Sequence, residues 1–148
     1  MENRGEEELR KLGYELRYLE QTAEAVQSRI NMVNTVFADL TYANMTLESL
    51  EKEKEGSELL VPVGGSSYVK AKLGSTDKVI VGIGAGVSVE KTIPEAKELV
   101  KKRLEDLGKT RIALQQQFVQ VTDKIKDDRQ KFESLVAEMR EEKPPGNV

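Results

Sequence analysis

Apolar residues recur at alternating steps of three and four along two long segments of this chain, one on each side of a glycine-rich middle. The first series is Leu9, Leu12, Leu16, Leu19, Ala23, Val26, Ile30, Val33, Phe37, Leu40 and, past Asn44, Leu47. The second is Ile93, Val100, Leu104, Leu107, Leu114, Phe118, Val121, Ile125, Phe132, Leu135 and Met139, interrupted by polar Lys97, Arg111 and Asp128. This 3.5-residue period is typical of helices that pair in a coiled coil. We call these two series the seam.

Local signals predict where the two helices begin and end. The first is expected over residues 6–55, before a stop at Gly56 and Ser57. The second is expected over residues 92–142, because Thr92 and Glu95 fit a capping box with Pro94 in the first turn. Residues 143–148 contain two prolines and a glycine and are expected to form a disordered tail. Each helix would be about 75 Å long, too long for a compact domain.

Composition excludes several classes of function. The chain has 148 residues, 33% of them charged, and it contains no cysteine, histidine or tryptophan. Disulfides, the usual zinc or haem sites and histidine-based nucleophilic catalysis are therefore not expected, so we predict no enzyme, metal site or cofactor. A net charge of −3 argues against a nucleic-acid partner. There is no run long enough to span a membrane and no secretory signal, which indicates a cytoplasmic protein.

The block at 59–91 changes from a period of 3.5 to a period of two. Two apolar runs, each turning at glycines, predict two consecutive β-hairpins. The triplet Gly82-x-Gly84-x-Gly86 fits a hairpin turn, since it lacks the spacing of a phosphate-binding loop. Isolated hairpins are marginal in water, so we expect other subunits to cover their apolar faces. The predicted assembly residues are Val61, Val63, Val69, Ala71, Leu73, Val79, Val81, Ile83, Val87 and Val89.

Two helices of similar length, joined at one end by this block, can fold back as an antiparallel pair. Two registers one heptad apart fit the pattern, one placing Arg111 opposite Val33 and the other placing it opposite Leu40. Both registers bring the two ends of the chain to the end of the coil that is far from the hairpins.

The hairpin block resembles one known family. The run from Leu59 to Ala71 (LLVPVGGSSYVKA), the run from Val81 to Lys91 (VGIGAGVSVEK) and the cap at Thr92 are similar to the middle of prefoldin alpha subunits. Beta-type subunits carry one hairpin where this chain carries two. The resemblance implies an α+β fold: a long antiparallel coiled-coil hairpin of helices, with two central β-hairpins that form an intersubunit β-barrel body.

The resemblance also implies a function and a set of partners. Prefoldins are ATP-independent chaperones in which two alpha and four beta subunits form a hexamer, and an archaeal source is implied. They hold non-native proteins at the coil tips and deliver them to a group II chaperonin. A self-assembling structural protein that forms rings or filaments is the alternative function. An enzyme that uses carboxylate pairs has no support in the residues.

Candidate client-binding residues lie at both ends of the chain. They are Leu9, Leu12, Tyr14, Leu16, Tyr18, Leu19, Phe132, Leu135, Val136 and Met139. Two interpretations remain open at this point. The seam residues among them can simply pack in the helix pair, and the off-seam tyrosines can be ordinary exposed residues.

Overall fold

The structure, a computed structural model, describes residues 4–142, so the predicted tail at 143–148 lies outside the described residues. Along the chain, two β-hairpins lie between two long helices, in the order predicted. The elements are α1 (Arg4–Lys52), β1 (Glu58–Gly64), β2 (Ser67–Lys72), β3 (Lys78–Gly84), β4 (Val87–Thr92) and α2 (Ile93–Glu142). The α+β prediction of helix, two hairpins and helix is confirmed. Along the described part of the chain, no helix has an apolar stretch long enough for a membrane span.

Helix α1 ends at Lys52, three residues before the predicted end at Glu55. The backbone explains the difference, because the amide of Glu53 donates to the carbonyl of Leu50, three residues back rather than four, at 3.2 Å. The chain then joins the first hairpin. The amide of Gly56 donates to the carbonyl of Leu73 at 2.7 Å, and the amide of Leu73 donates to the carbonyl of Ser57 at 2.8 Å. Gly56 has a φ of 89°, a conformation that favours glycine.

Helix α2 begins directly after β4, at the predicted capping residue. The hydroxyl oxygen of Thr92 accepts a hydrogen bond from the backbone amide of Glu95 at 3.3 Å. This bond satisfies one of the first-turn amides, which have no acceptor within the helix. Pro94 has no amide hydrogen and therefore needs no acceptor. Strand and helix therefore join without an intervening loop.

The two hairpins have the same local design. Val61 pairs with Val69 in the first hairpin, and Val81 pairs with Val89 in the second. Each first strand has a register irregularity just before the turn, and both residues of each turn have positive φ: Gly65 and Ser66, then Ala85 and Gly86. Positive φ at both turn positions matches the twist of the strands that follow. Each hairpin is a separate two-stranded sheet.

The chain divides into two compact units. The first, which we call the distal unit, combines residues 4–34 of α1 with residues 109–142 of α2. Its buried apolar residues are Val26, Ile30 and Ile125, all of which belong to the seam. The guanidinium of Arg129 donates to Glu20 at 2.8 Å and links the two helices at the surface. The remaining seam positions of this unit, apart from Asp128, are half-buried.

The second, which we call the hairpin unit, spans residues 35–108. Its buried apolar residues are Ile93, Ala96 and Val100, in the first turns of α2. Lys97, one of the polar residues that interrupt the seam, reaches across to Glu51 of α1 at 3.3 Å. A polar residue at a seam position thus pairs across the two helices here.

Removal of the cap on α2 should destabilise the protein. We expect Thr92→Ala to lower the free energy of unfolding by about 1 kcal/mol, because the amide of Glu95 would lose its acceptor. Thermal unfolding followed by circular dichroism measures the effect. Thr41→Ala is the matched control, since its exposed hydroxyl donates to the carbonyl of Phe37 within α1 and caps no helix end. Equal losses in the two variants would contradict a capping role for Thr92.

Candidate functional site

The beginning of α1 and the end of α2, as far as the structure describes them, lie together at one end of the distal unit. We define the tip as residues 4–19 of α1 and residues 128–142 of α2. Seven of the predicted client-binding residues are half-buried in the seam there: Leu9, Leu12, Leu16, Leu19, Phe132, Leu135 and Met139. Val136, which lies outside the seam, is also half-buried. Tyr14 and Tyr18 are 66% and 69% exposed and follow each other at four-residue spacing on one face of α1.

An open groove of about 630 Å³ lies between the helices at the tip. Leu12 and Leu135 provide its apolar surface, and the rest of the lining is polar. The polar lining residues are Glu8, Lys11, Glu15, Asp127, Gln130, Lys131, Ser134 and Glu138. Charged residues of both signs therefore surround the apolar surface. Such a groove can accept an apolar side chain of a client whether the neighbouring client residue is acidic or basic.

A second open groove at the tip, of about 470 Å³, lies along α2. Phe132, Val136 and Ala137 line it together with Glu133 and Arg140. Phe132 and Val136, predicted from sequence as client-binding residues, thus share one groove. The tip offers two exposed tyrosines and two partly apolar grooves rather than a single enclosed pocket.

Asp128 is buried in the seam at the inner boundary of the tip. Neither of its carboxylate oxygens has a hydrogen-bond partner. Its nearest charged group is Lys124, one turn earlier on the same helix, whose Nζ lies 3.3 Å from Oδ1. A polar residue at a seam position can pair across the helices or reach to water. Asp128 does neither, because its side chain is too short to reach water from inside the seam.

Lys124 also faces Glu15 of α1, at 3.7 Å. The close carboxylate of Asp128, followed by the charge of Glu15, raises the pKa of Lys124 above its usual 10.5. One exposed ammonium is therefore shared by two carboxylates. A buried carboxylate is expensive to desolvate, and a single exposed partner offsets this cost only in part. The seam therefore gains less stability at Asp128 than an apolar residue would give it there.

The predicted assembly residues differ in how far the chain itself covers them. Val61, Val63, Val69, Ile83 and Val87 are exposed, whereas Ala71, Leu73, Val79, Val81 and Val89 are half-buried. That other subunits cover the apolar faces of the hairpins stays a prediction. Within the chain, Val79 and Val81 share a groove with Leu47, Leu50, Ala96 and Val100 of the helices in the hairpin unit.

Apolar residues also lie on the opposite faces of the hairpins, outside the predicted set. Leu60, Tyr68 and Ile80 are exposed and alternate with the predicted residues along their strands. A signal for them was present in the sequence. Leu59-Leu-Val-Pro-Val is apolar without alternation, a pattern typical of strands that are covered on both faces.

Comparisons with known proteins agree with this architecture. A family model described as "Prefoldin subunit" matches residues 19–138. The chain is 38% identical over 109 residues to a prefoldin subunit alpha of Methanococcoides burtonii, covering 74% of this chain and 79% of the relative. It is 32% identical over 133 residues to a prefoldin subunit alpha of Methanobrevibacter smithii, covering 90% of each.

A solved structure shares the fold. The cryo-EM structure of filamentous PFD from Methanocaldococcus jannaschii matches with a TM-score of 0.69 and 30% identity. The match covers 78% of this chain and 95% of that one. The resemblance first seen in the hairpin block therefore extends to most of the chain.

Replacing the buried carboxylate should stabilise the coil. We expect Asp128→Leu to raise the free energy of unfolding by about 1–4 kcal/mol, because an apolar side chain at a seam position removes the desolvation cost. Thermal unfolding of the full chain measures the change. Asp123→Leu is the control, since Asp123 is exposed on the same helix and its replacement should stay within about 0.5 kcal/mol. A melting temperature that falls in Asp128→Leu would contradict the idea of a weak seam.

Proposed function

The chain belongs to the prefoldin subunit family, and from that premise we propose that it is an alpha-type subunit of an ATP-independent holdase chaperone. Its tip binds non-native proteins and passes them to a group II chaperonin. The observation that carries this proposal is the exposure of Tyr14 and Tyr18 beside two partly apolar grooves at the tip.

Weak contacts at several points suit a protein that must accept many unfolded chains. Each tyrosine or groove offers only a small apolar area, but tips joined in one assembly act together and raise the overall affinity. Met139 adds a flexible, polarizable side chain that adapts to different partners. Opening of the seam beyond Asp128 would expose Leu9, Leu12, Leu16, Leu19 and Leu135 as further contact area.

Assembly with other prefoldin subunits follows from family membership, and we propose the form that it takes. Two copies of this chain combine with four beta-type subunits in a hexamer, whose body is a β-barrel built from the hairpins. The exposure of Val61, Val63 and Val69 supports this arrangement, because a two-stranded sheet with uncovered apolar residues is marginal by itself.

Self-assembly into rings or filaments is a second candidate function. The solved relative from Methanocaldococcus jannaschii is described as filamentous. This chain carries two hairpins, and hence two apolar surfaces that can associate with neighbouring copies. Such a protein would use the same hairpins without a beta-type partner.

The tip hypothesis predicts a loss of holdase activity without a loss of assembly. We expect the double variant Tyr14→Gln, Tyr18→Gln to suppress aggregation of guanidine-unfolded lysozyme several-fold less well, since two exposed aromatic contacts per tip are removed. Light scattering without ATP measures the suppression. The matched control is Ile112→Gln, Val119→Gln, which removes two apolar residues of similar exposure from α2 outside the tip. Equal suppression by the tip variant and the original chain would refute the tip proposal.

The two candidate functions predict different masses in solution. For the hexamer, the chain mixed with a prefoldin beta subunit should give one species of two alpha and four beta chains by native mass spectrometry. For the structural alternative, the chain alone should form long assemblies whose size the beta subunit does not limit. A chain that remains monomeric in both samples would contradict both assembly schemes.

A further inference from the structure

One stretch of α1 in the hairpin unit is nearly free of charge. From Thr35 to Leu47 the only charged residue is Asp39, although a third of the whole chain is charged. Val36, Tyr42 and Met45 are exposed apolar residues within this stretch. The solvent-facing sides of a coiled coil ordinarily carry Glu and Lys, so an exposed side without them indicates a surface that a partner covers.

A groove of about 490 Å³ lies beside this stretch. Asp39, Tyr42 and Thr46 line it from α1, and Val79–Gly82 line it from β3. Tyr42 and Ile80 on its walls are 73% and 76% exposed, so apolar surface continues from the helix to the strand. The side chain of Arg103 in α2 donates to the carbonyl of Gly82 at 2.8 Å and fixes this wall of the groove.

The first hairpin has an apolar surface on each of its faces. One face carries the pairs Leu59–Ala71 and Val61–Val69, which the proposed barrel would cover. The other face carries the pairs Leu60–Lys70 and Pro62–Tyr68, and Leu60 and Tyr68 are both exposed. A sheet with only one covered face has polar residues on the other, so this second face calls for a second cover.

We propose that the second face of the β1–β2 hairpin docks into this groove on another copy of the same chain. Leu60 and Tyr68 contact Tyr42 and Ile80 there, and Lys70 pairs with Asp39. The proposal rests on the hairpin assembly proposed above and adds the surface that receives the hairpin.

Charge favours this occupant. Asp39 is the only charge in its stretch of α1, and the hairpin face that would enter the groove carries Lys70 and Lys72 against one carboxylate, Glu58. The other charge in the groove lining, Arg103, already donates to the carbonyl of Gly82. A hairpin on one copy and a groove on the next make a head-to-tail contact, which continues into a ring or an open filament. The contact is also available to two copies within a larger mixed assembly.

A charge exchange tests the pairing. We expect Asp39→Lys and Lys70→Asp each to weaken self-association of the full chain by about tenfold or more, because each variant places like charges together. Combining the two changes in one chain should restore association, since the opposite charges face each other again. Sedimentation at a series of protein concentrations gives the dissociation constants, and circular dichroism checks that each variant is folded. Lys126→Asp, an exposed change in the distal unit, is the control.

Failure of the docking proposal and failure of the hairpin assembly have different signatures. Val61→Asp should abolish association if the first face of the hairpin is buried in the assembly. If Val61→Asp does so while both single exchanges leave association unchanged, docking in the groove is wrong and the barrel proposal stands. If Val61→Asp also has no effect on an association that the original chain shows, both proposals are wrong. If the original chain is monomeric alone, docking between copies is wrong, and the mixture with the beta subunit decides the barrel proposal. Single exchanges that weaken association without rescue in the double variant would refute the pairing of Asp39 with Lys70.

Discussion

The seam between the helices is the constraint on which the rest of this molecule depends. In a coiled coil only about two of every seven residues face the partner helix, so most apolar burial follows this narrow strip. The buried apolar residues of the described chain are Val26, Ile30, Ile125, Ile93, Ala96 and Val100, and none belongs to a hairpin. With so thin a core, the hairpins gain little from their own chain. Association with other subunits is where their apolar area can contribute to stability.

The seam also contains a position that lowers the stability of the coil. At Asp128 an apolar position is occupied by a buried carboxylate with one exposed lysine beside it. A leucine there would pack as its neighbours Ile125 and Phe132 do. A weak point at the inner boundary of the tip lets the residues beyond it separate at lower cost than the rest of the coil. For a surface that must adapt to unfolded chains of many shapes, this local weakness is an advantage.

Much of the fold could be read from the sequence because its signals are local. The heptad series predicted the seam, and the cap at Thr92 and the glycine turns depend on residues within a few positions of each other. The burial of Asp128 could not be predicted in this way. The pattern shows a polar residue at a seam position, but it does not show whether the side chain reaches solvent. Nor did periodicity reveal that Val79 and Val81 share a groove with the helices, because that arrangement joins residues far apart in the chain.

The two hairpins show how similar backbones can acquire different roles. The second hairpin continues into α2 without a loop, and Arg103 of α2 donates a hydrogen bond to Gly82 in β3. This hairpin is therefore attached to α2 through both of its strands. The first is bonded to its own flanking residues at Gly56, Ser57 and Leu73, and both of its faces carry exposed apolar side chains. A hairpin anchored to a helix can form one wall of a receiving groove, whereas a hairpin bonded to its own flanking residues can enter one. The two hairpins share the same turn and register, so it is their attachment that differs. The second hairpin is suited to receive a neighbouring copy, and the first is suited to dock into one.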